Sequence, residues 1–414
     1  MNIKIYFVKY TLLTLVLFTT IQASIAQTVK SSAPRQEKLL NGLKLLMWSE
    51  PSAEKVTVKL RVHSGAAFDT LNKEGTMAML ADALFPNESA REFFREDLGG
   101  SLDVTSNYDY IQINATGNAA QILTILETLA NAITKPQIDK EITDRVRAAR
   151  LERIKELEKN PAYVADRAVA KRLFGNYPYG RSADGTAESL AKTDFADLLL
   201  AKQRFLTADN ATLAVSGSVK PDYVFKAVRQ LFGGWEKADK RVPATFAQPD
   251  APVEVTAKVA VNNLEKEFAR FAFKGVARND KDYFPSIILT RIWNSRLNKF
   301  PNGFVRNEPH LLRGMIVWGV SFDDEKTKTE NSQIKNPKEV TAEEFTKAKN
   351  DLLSEINQKN MIDWWLDVDT FKLTSVKDEM QRITGLTIEE VNQFAAKSQK
   401  EPSVTIFFEQ SKQN

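Results

Sequence analysis

Residues 75–85 read Gly-Thr-Met-Ala-Met-Leu-Ala-Asp-Ala-Leu-Phe, and no other stretch of the chain says more about its fold. Nearly all of these residues are apolar or favour helices, which predicts a helix that is buried on almost every side. Alternating apolar and polar residues at 56–62 and again at 110–115 predict half-buried strands before and after it. Strands and helices therefore mix closely in this part of the chain.

The same mixture continues along the rest of the sequence. Further strands are predicted at 211–217, 267–275, 315–322 and 404–408, and helices at 120–134, 139–158, 162–174, 221–232, 284–297 and after capping boxes that begin at Thr341 and Thr387. The elements do not follow a regular β-α-β alternation. This order predicts an α+β fold.

The composition excludes several classes of protein. The 414 residues include 57 Lys and Arg, 53 Asp and Glu and two His, but no Cys. Without a thiol the chain has no disulfide, no cysteine nucleophile and no thiolate metal site. A histidine metal site or a Ser-His-Asp triad would have to use His63 or His310. A formal charge of +4 without a basic run argues against nucleic acid as a partner.

The first 26 residues have the features of a cleavable signal peptide. Lys4 and Lys9 precede an uncharged stretch, 10–26, in which Ser24 and Ala26 are the small residues that signal peptidase requires. The apolar centre of this stretch is shorter than the ~20 residues that a membrane-spanning helix needs. We expect cleavage after Ala26, export to a bacterial periplasm, and no transmembrane segment in the mature chain.

A series of segments, taken in order, resembles the pitrilysin/insulinase-type zinc peptidases and the subunits of mitochondrial processing peptidase. The segments are 40–44, which contains Asn-Gly-Leu, 64–67, 75–85, 98–101, 108–113, 177–180, which reads Tyr-Pro-Tyr-Gly, 185–189, 208–217, and 295–297, which reads Ser-Arg-Leu. The resemblance implies two structurally related α+β domains that arose as duplicated halves. Each would be an antiparallel-rich sheet with helices packed on it.

In that family the helix equivalent to 75–85 carries an inverted zinc motif, His-x-x-Glu-His. Its histidines bind zinc and its glutamate activates water. With no gap in the helix, the histidine positions fall on Ala78 and Asp82, the glutamate position on Ala81, and the family's downstream zinc ligand on Arg153. The resemblance thus implies a degenerate site without metal, cofactor or catalytic residue. We expect Asp82 to pair with a neighbouring base, with Arg153 as the candidate.

One position in the second half is a candidate for substrate binding. Active members of the family, or their partner subunits, carry an arginine and a tyrosine after the Ser-Arg-Leu helix that contact the substrate. Arg306 matches the arginine, while the tyrosine position falls near Val317. Arg306 is therefore the predicted substrate-binding residue, and a plain surface cation is the alternative interpretation. His63 and His310 have no partner at a known catalytic spacing.

These observations predict an N-terminal peptidase-like domain at 27–240, a linker at 241–256 and a C-terminal peptidase-like domain at 257–414. The leading hypothesis is an exported, non-catalytic subunit that pairs with a zinc peptidase chain bearing His-x-x-Glu-His, or with a second copy of itself. Together the two would enclose a peptide or unfolded polypeptide. The alternative is a stand-alone peptide-binding or scaffolding protein of the cell envelope. A hydrolase with its site moved to His63 or His310 ranks last.

Overall fold

The computed structural model describes residues 33–238, 252, 256–261, 264, 266–322, 339–358 and 361–410. The first sheet is formed by β1 (Arg35–Lys38), β2 (Lys44–Ser49), β3 (Lys55–Val62), β4 (Ser101–Ser106), β5 (Ile111–Asn118) and β6 (Ala211–Gly217). The order across the sheet is β1-β2-β6-β3-β5-β4. Strands β2 and β6 are parallel, and the other neighbouring pairs are antiparallel. The sheet is therefore antiparallel-rich, as predicted.

The described part of the first half also contains helices, most of which cover one face of this sheet. They are α1 (Thr76–Leu84), α2 (Ser89–Glu96), α3 (Ile122–Thr134), α4 (Lys140–Glu158), α5 (Pro161–Phe174), α6 (Ala187–Lys192), α7 (Phe195–Phe205) and α8 (Pro221–Phe232). Apolar side chains from α1, α3, α4, α7 and α8 join those of the strands in one continuous core. Helix α1 is buried at every position except Asp82, which confirms the prediction for 75–85.

The second half repeats this arrangement. Its elements are β7 (Thr256–Val261), β8 (Phe268–Lys274), α9 (Tyr283–Leu297), β9 (Phe304–Glu308), β10 (Met315–Ser321), α10 (Ala342–Gln358), α11 (Met361–Phe371), α12 (Val376–Gly385), α13 (Ile388–Gln399) and β11 (Ser403–Gln410). The sheet order is β7-β11-β8-β10-β9. Side chains of Thr341 and Thr387 accept hydrogen bonds from backbone N–H groups three residues later, so both predicted capping boxes form.

The two sheets have the same topology. In each, an early strand (β2 or β7) runs parallel to the last strand of the half (β6 or β11), and three antiparallel strands follow on one side. Strand β1 is an additional strand at the edge of the first sheet. Thus β2, β6, β3, β5 and β4 of the first sheet correspond to β7, β11, β8, β10 and β9 of the second. A helix, α1 or α9, connects equivalent strands in the two halves. The prediction of two related α+β halves is confirmed.

Each half also contributes one helix to the other half's sheet. Helix α5 packs Ala165, Val169 and Leu173 into the apolar cluster that includes strands β8 and β11 of the second sheet. Helix α11 packs Ile362 and Leu366 against the outer face of the first sheet. Because each half covers the other's sheet, the described residues from 34 onward form one compact unit.

Helix α11 is held on the first sheet by charge as well as by apolar contact. Its carboxylates meet basic side chains of β2 and β3: Asp363 pairs with Lys59 at 2.8 Å, Asp367 with Arg61 at 2.7 Å, and Asp369 with Lys44 at 3.0 Å. Ion pairs shielded from solvent are screened less than exposed ones. This row of ion pairs fixes where α11 lies along the strands.

Two predicted segments fall on parts of the chain that are not described. The predicted signal peptide, 1–26, lies outside the described residues, and so does the predicted linker, 241–256, apart from residues 252 and 256. The predicted domain limits, 27–240 and 257–414, remain predictions. Among the described helices, none has the length and apolarity required to cross a bilayer.

Candidate functional site

The three motif positions of α1 lie where this helix packs against α4. Ala78 is 1% exposed and Ala81 is 2% exposed. A methyl side chain offers no lone pair to a metal ion and no proton to a substrate. Asp82, the third position, has the one ionisable side chain among them, and it is 38% exposed.

The start of α1 is fixed by a carboxylate and by two glycines. Asp69 accepts hydrogen bonds from the backbone N–H of Gly75 at 2.7 Å and of Met77 at 2.8 Å, so it serves the helix as an N-terminal cap. Gly75 has φ +91°, and a Cβ there would lie 2.8 Å from the carbonyl oxygen of Asp184. A Cβ on Gly185, at φ +85°, would lie 2.6 Å from the carbonyl oxygen of Glu74. This close approach brings Asp184 beside α1.

Arg150 of α4 occupies the space between these groups. Its Nε lies 2.8 Å and its Nη2 lies 2.6 Å from Oδ2 of Asp82. Nη1 donates to Asp184 at 3.1 Å, and Nη2 also reaches the carbonyl oxygen of Ala78 at 3.3 Å. The arginine side chain is only 4% exposed. A buried guanidinium thus links α1, α4 and the segment before α6.

Burial sets the electrostatics of this cluster. It raises the pKa of the Asp82 carboxyl above its usual value, and the neighbouring Arg150 guanidinium acts in the opposite direction. The carboxylate is already engaged by two guanidinium nitrogens, which leaves it poorly available to another cation.

The identity of the base that pairs with Asp82 corrects a prediction. We expected Arg153, but the partner is Arg150, one turn earlier, and Arg153 is exposed. The carboxylates near Arg153 are also on the outer face of α4. Glu152 pairs with Lys155 there, and Glu156 forms the same i,i+3 pair with a lysine.

These residues do not fit a zinc ion. In the family, two imidazoles and one carboxylate bind the zinc ion, and a second carboxylate activates water. This cluster instead offers the carboxylates of Asp82 and Asp184, with the Arg150 guanidinium between them. A guanidinium cannot be deprotonated in a protein, so it would repel a divalent ion at this place. Among the described residues, no group of three or more His, Asp or Glu side chains is arranged to hold a metal ion.

Arg306, the predicted substrate-binding residue, lies on edge strand β9. Its Nη2 contacts Asp166 of α5 at 2.7 Å and Glu308 at 2.9 Å, and both carboxylates raise the pKa of the guanidinium against the effect of burial. Val317, at the predicted tyrosine position, is opposite Arg306 in the ladder of β9 and β10 and is fully buried. Valine supplies no hydroxyl, so no tyrosine acts beside Arg306 at this position. A role of Arg306 in substrate binding remains a prediction.

A cavity of about 420 Å³ opens beside Arg306. One wall is formed by α5, another by residues of the segment 179–186, and a third by β9 and His310. The cavity thus lies beside helix α5, where the first half of the chain meets the second. Sequence reasoning placed Arg306 near a substrate, but it did not identify this cavity.

His310 has a partner that the sequence did not reveal. Its Nδ1 lies 2.8 Å from Oδ2 of Asp109, a buried carboxylate in the turn between β4 and β5. Oδ1 of Asp109 accepts the backbone N–H of Leu311 at 3.0 Å. The His310 ring packs against the Tyr179 ring with centroids 4.4 Å apart. Because the two partners are 201 residues apart, no local spacing pattern could have joined them.

His63, the other histidine, serves the interface between the halves. Its ring nitrogens lie 2.9 Å from the Thr212 hydroxyl of β6 and 3.0 Å from the Thr370 hydroxyl of α11. Burial is the main reason that its pKa is lowered to about 3. The ring is therefore neutral at pH 7 and joins the sheet to α11.

Two family models match the chain. The one described as "Insulinase (Peptidase family M16)" matches residues 44–187, and the one described as "Peptidase M16 inactive domain" matches residues 193–296. The probable mitochondrial-processing peptidase subunit beta of Arabidopsis thaliana is 25% identical over 281 residues, which cover 64% of this chain and 52% of that protein. The chain thus spans about half the length of this curated relative.

Solved structures resemble the fold over most of the chain. A protease from Helicobacter pylori has a TM-score of 0.83 at 16% identity, and the match covers 91% of this chain and 100% of the other. The periplasmic protease PqqL from Escherichia coli has a TM-score of 0.72 at 14% identity, and the match covers 92% of this chain but 48% of the other. At these identities the likeness concerns the fold alone.

Proposed function

The chain belongs to the insulinase family of peptidases, peptidase family M16, and we propose that it serves as a non-catalytic, peptidase-like subunit. It would pair with a separate chain that bears His-x-x-Glu-His and zinc, and would complete the chamber in which that chain cleaves peptides. The family membership supplies the peptidase scaffold. The chemistry at its motif positions argues that this chain does not cleave peptides by itself.

Arg150 is the observation that carries this proposal. Its unreactive guanidinium lies between Asp82 and Asp184, beside the motif helix. In the motif itself, Ala78 replaces a zinc ligand and Ala81 replaces the general base. Hydrolysis by a zinc peptidase needs both a Lewis acid and a base that deprotonates water. Ala78 and Ala81 can supply neither function, and the carboxylates of Asp82 and Asp184 are both engaged by Arg150.

Pairing with another chain is supported by the extent of the structural likeness. The match with PqqL covers 92% of this chain but only 48% of that one, so a single longer chain can contain about two units of this size. The curated relative from Arabidopsis thaliana is itself named as a subunit. A two-unit assembly made from separate chains would suit a protein whose own motif site lacks chemistry.

We place the mature protein in a bacterial periplasm. The proposal rests on the basic and then apolar residues 1–26, with a signal-peptidase pattern that ends at Ala26. A structural relative, PqqL, is described as a periplasmic protease. Cleavage after Ala26, detected by N-terminal sequencing of the protein from an envelope fraction, would support export.

The alternative function is a stand-alone peptide-binding or scaffolding protein of the envelope. It is favoured by the 420 Å³ cavity, which is lined within one chain by residues from both halves. Such a protein would bind peptides as a monomer or as a homodimer, without associated proteolysis.

A pull-down from the native envelope fraction, followed by mass spectrometry, separates the two functions. Recovery of a chain with an intact His-x-x-Glu-His helix at near one-to-one ratio supports the subunit. A mixture of the two chains should then cleave peptides faster than the partner alone. Recovery of the tagged chain alone supports the stand-alone protein. Stoichiometric zinc in the purified chain, lost on replacing Asp82 with Asn, would contradict both.

A further inference from the structure

One face of helix α5 lines the cavity. Its cavity-lining side chains recur at helical spacing: Tyr163, Asp166, Arg167, Ala170, Lys171 and Phe174. The neighbouring positions Ala165, Val169 and Leu173 face the second sheet. The helix therefore offers a continuous wall to a ligand while its other side holds the two halves together.

The acidic side chains of this wall are largely neutralised by arginines. Asp166 accepts hydrogen bonds from Nε of the buried Arg270 at 3.1 Å and from Nη2 of Arg306 at 2.7 Å. Glu308 accepts hydrogen bonds from both Nε and Nη2 of Arg306, at 3.1 and 2.9 Å. Two carboxylates and two guanidinium groups thus balance one another. A cationic ligand would have to displace an arginine from Asp166 to bind here.

The remaining basic side chains of the wall have weaker partners. Lys171 donates to the neutral side chain of Asn176 at 2.7 Å. Arg167 lies 3.6 Å from Glu158, and both of these side chains are about a third or more exposed, so the pair is weakly held. Glu74 is the other acidic residue of the lining. The part of the cavity near α5 therefore has an excess of positive charge.

Two described residues of the lining each carry a buried polar atom without a hydrogen-bond partner. Among the described residues, Tyr163 Oη and Arg181 Nε are buried atoms without a hydrogen-bond partner. The other two nitrogens of Arg181 donate to the carbonyl oxygens of Asp69 and Ala67, at 2.8 and 3.5 Å, which fixes its guanidinium in place. Buried donors normally have an acceptor, so these two side chains are incompletely satisfied within the described chain.

Another part of the lining is apolar and aromatic. Tyr108, Phe174 and Tyr179 line the cavity together with Ala170 and Met315. The Tyr179 ring makes edge-to-face contacts with Tyr108 and with Phe174, and the ring centroids are 5.4 and 6.1 Å apart, respectively. Rigid rings of this kind form a pocket for an apolar or aromatic side chain beside the basic groups.

We propose that this cavity binds a peptide through a carboxylate, with Arg167, Lys171 and Tyr163 as the recognising side chains. An apolar residue next to that carboxylate occupies the aromatic pocket. A terminal carboxylate and the side chain of an aspartate or glutamate present the same chemistry. The inference rests on the proposed function for its choice of a peptide as ligand, and it adds the feature of the peptide that is recognised.

The test compares three N-acetylated hexapeptides that end in phenylalanine, titrated calorimetrically into the full chain without any partner. One has a free terminal carboxylate, one has a terminal amide, and one has the amide and an aspartate before the phenylalanine. Charge-assisted hydrogen bonds predict that the free acid binds about tenfold to a hundredfold more tightly than the amide. Equal affinity of the aspartate peptide and the free acid assigns the site to carboxylates of either source.

Variants locate the binding. Lys171→Gln and Arg167→Gln should each weaken the free acid about tenfold and leave the amide unchanged, and Tyr163→Phe tests the hydroxyl separately. Lys155→Gln, on the exposed face of α4, is the matched control and should change nothing. Equal affinities for all three peptides, or a loss shared by the control, would overturn the proposal. Because no partner is present, such a result would leave pairing with a zinc peptidase untouched.

Discussion

Replacing Arg150 with methionine tests how the motif site is held together. Methionine keeps much of the length and apolar stem of the arginine but removes its charge and its donors. The change leaves Asp82 and Asp184 facing the same buried space, and it removes the hydrogen bond to the carbonyl oxygen of Ala78. Two carboxylates would then share a site that had one cation between them.

The expected cost follows from the exposure of the three charged groups. Removing one partner of a fully buried ion pair costs about 3–5 kcal/mol, because the other charge is left without compensation. Arg150 is 4% exposed, but Asp82 and Asp184 are 38% and 31% exposed and can regain some water. We therefore expect the lower end of that range, about 3 kcal/mol of unfolding free energy. Urea denaturation followed by tryptophan fluorescence at pH 7 measures it.

The control and the rescue are provided by the same elements. Arg153→Met removes an exposed arginine from the same helix and should change the free energy of unfolding by no more than about 0.5 kcal/mol. Adding Asp82→Asn and Asp184→Asn to Arg150→Met removes the repulsion and should recover part of the loss. If Arg150→Met costs no more than Arg153→Met, the guanidinium does not link these helices energetically.

Three further predictions concern the framework around the site. His63 has a pKa lowered to about 3, so as the pH falls from 7.0 to 5.5 the unfolded state takes up a proton that the folded state does not. Over this pH range the unfolding free energy should drop by about 1.2 kcal/mol more in the wild type than in His63→Asn. An equal drop in the two proteins, measured by urea denaturation at both pH values, would refute this. Gly75→Ala forces a Cβ into a left-handed conformation, 2.8 Å from a backbone oxygen; it should cost about 2 kcal/mol in urea denaturation, whereas Gly234→Ala, in open space, should be nearly neutral. Asp367→Asn removes the carboxylate that lies 2.7 Å from the buried Arg61 and should lower the free energy of unfolding by about 2 kcal/mol, measured by urea denaturation. A decrease below about 0.5 kcal/mol would mean that this ion pair does not hold α11 on the sheet.

Much of the fold could be predicted because local pattern and burial agree in many elements. Strand β3 alternates as its sequence does, and helix α1 is buried as its apolar run predicted. Helix α11 was missed for a physical reason. Its Asp363, Asp367 and Asp369 face the basic strands of the first sheet instead of solvent. Acidic residues on a buried face conceal the apolar stripe by which an amphipathic helix is usually identified.

The candidate site could be predicted only in part. The replacements at Ala78, Ala81 and Asp82 follow from the aligned helix alone, but the partner of Asp82 does not. A signal for it was present in α4, where the buried positions Thr143, Val146, Arg150 and Ile154 recur at spacings of three and four. Following that stripe would have selected Arg150 over Arg153. The contact between His310 and Asp109 has no such signal, because it depends on how the two halves meet.

The arginine also bears on whether the motif site is merely damaged or has a different structural role. A zinc ion in the family's site joins the motif helix to the helix downstream through ligands from both. Here α1 and α4 are joined by a side chain of α4 itself, which pairs with Asp82 and reaches Asp184 and a carbonyl oxygen. The connection therefore needs neither a metal ion nor the pH at which histidines are neutral. A scaffold that keeps this connection without the reactive groups suits the proposed subunit, in which another chain would supply the catalysis.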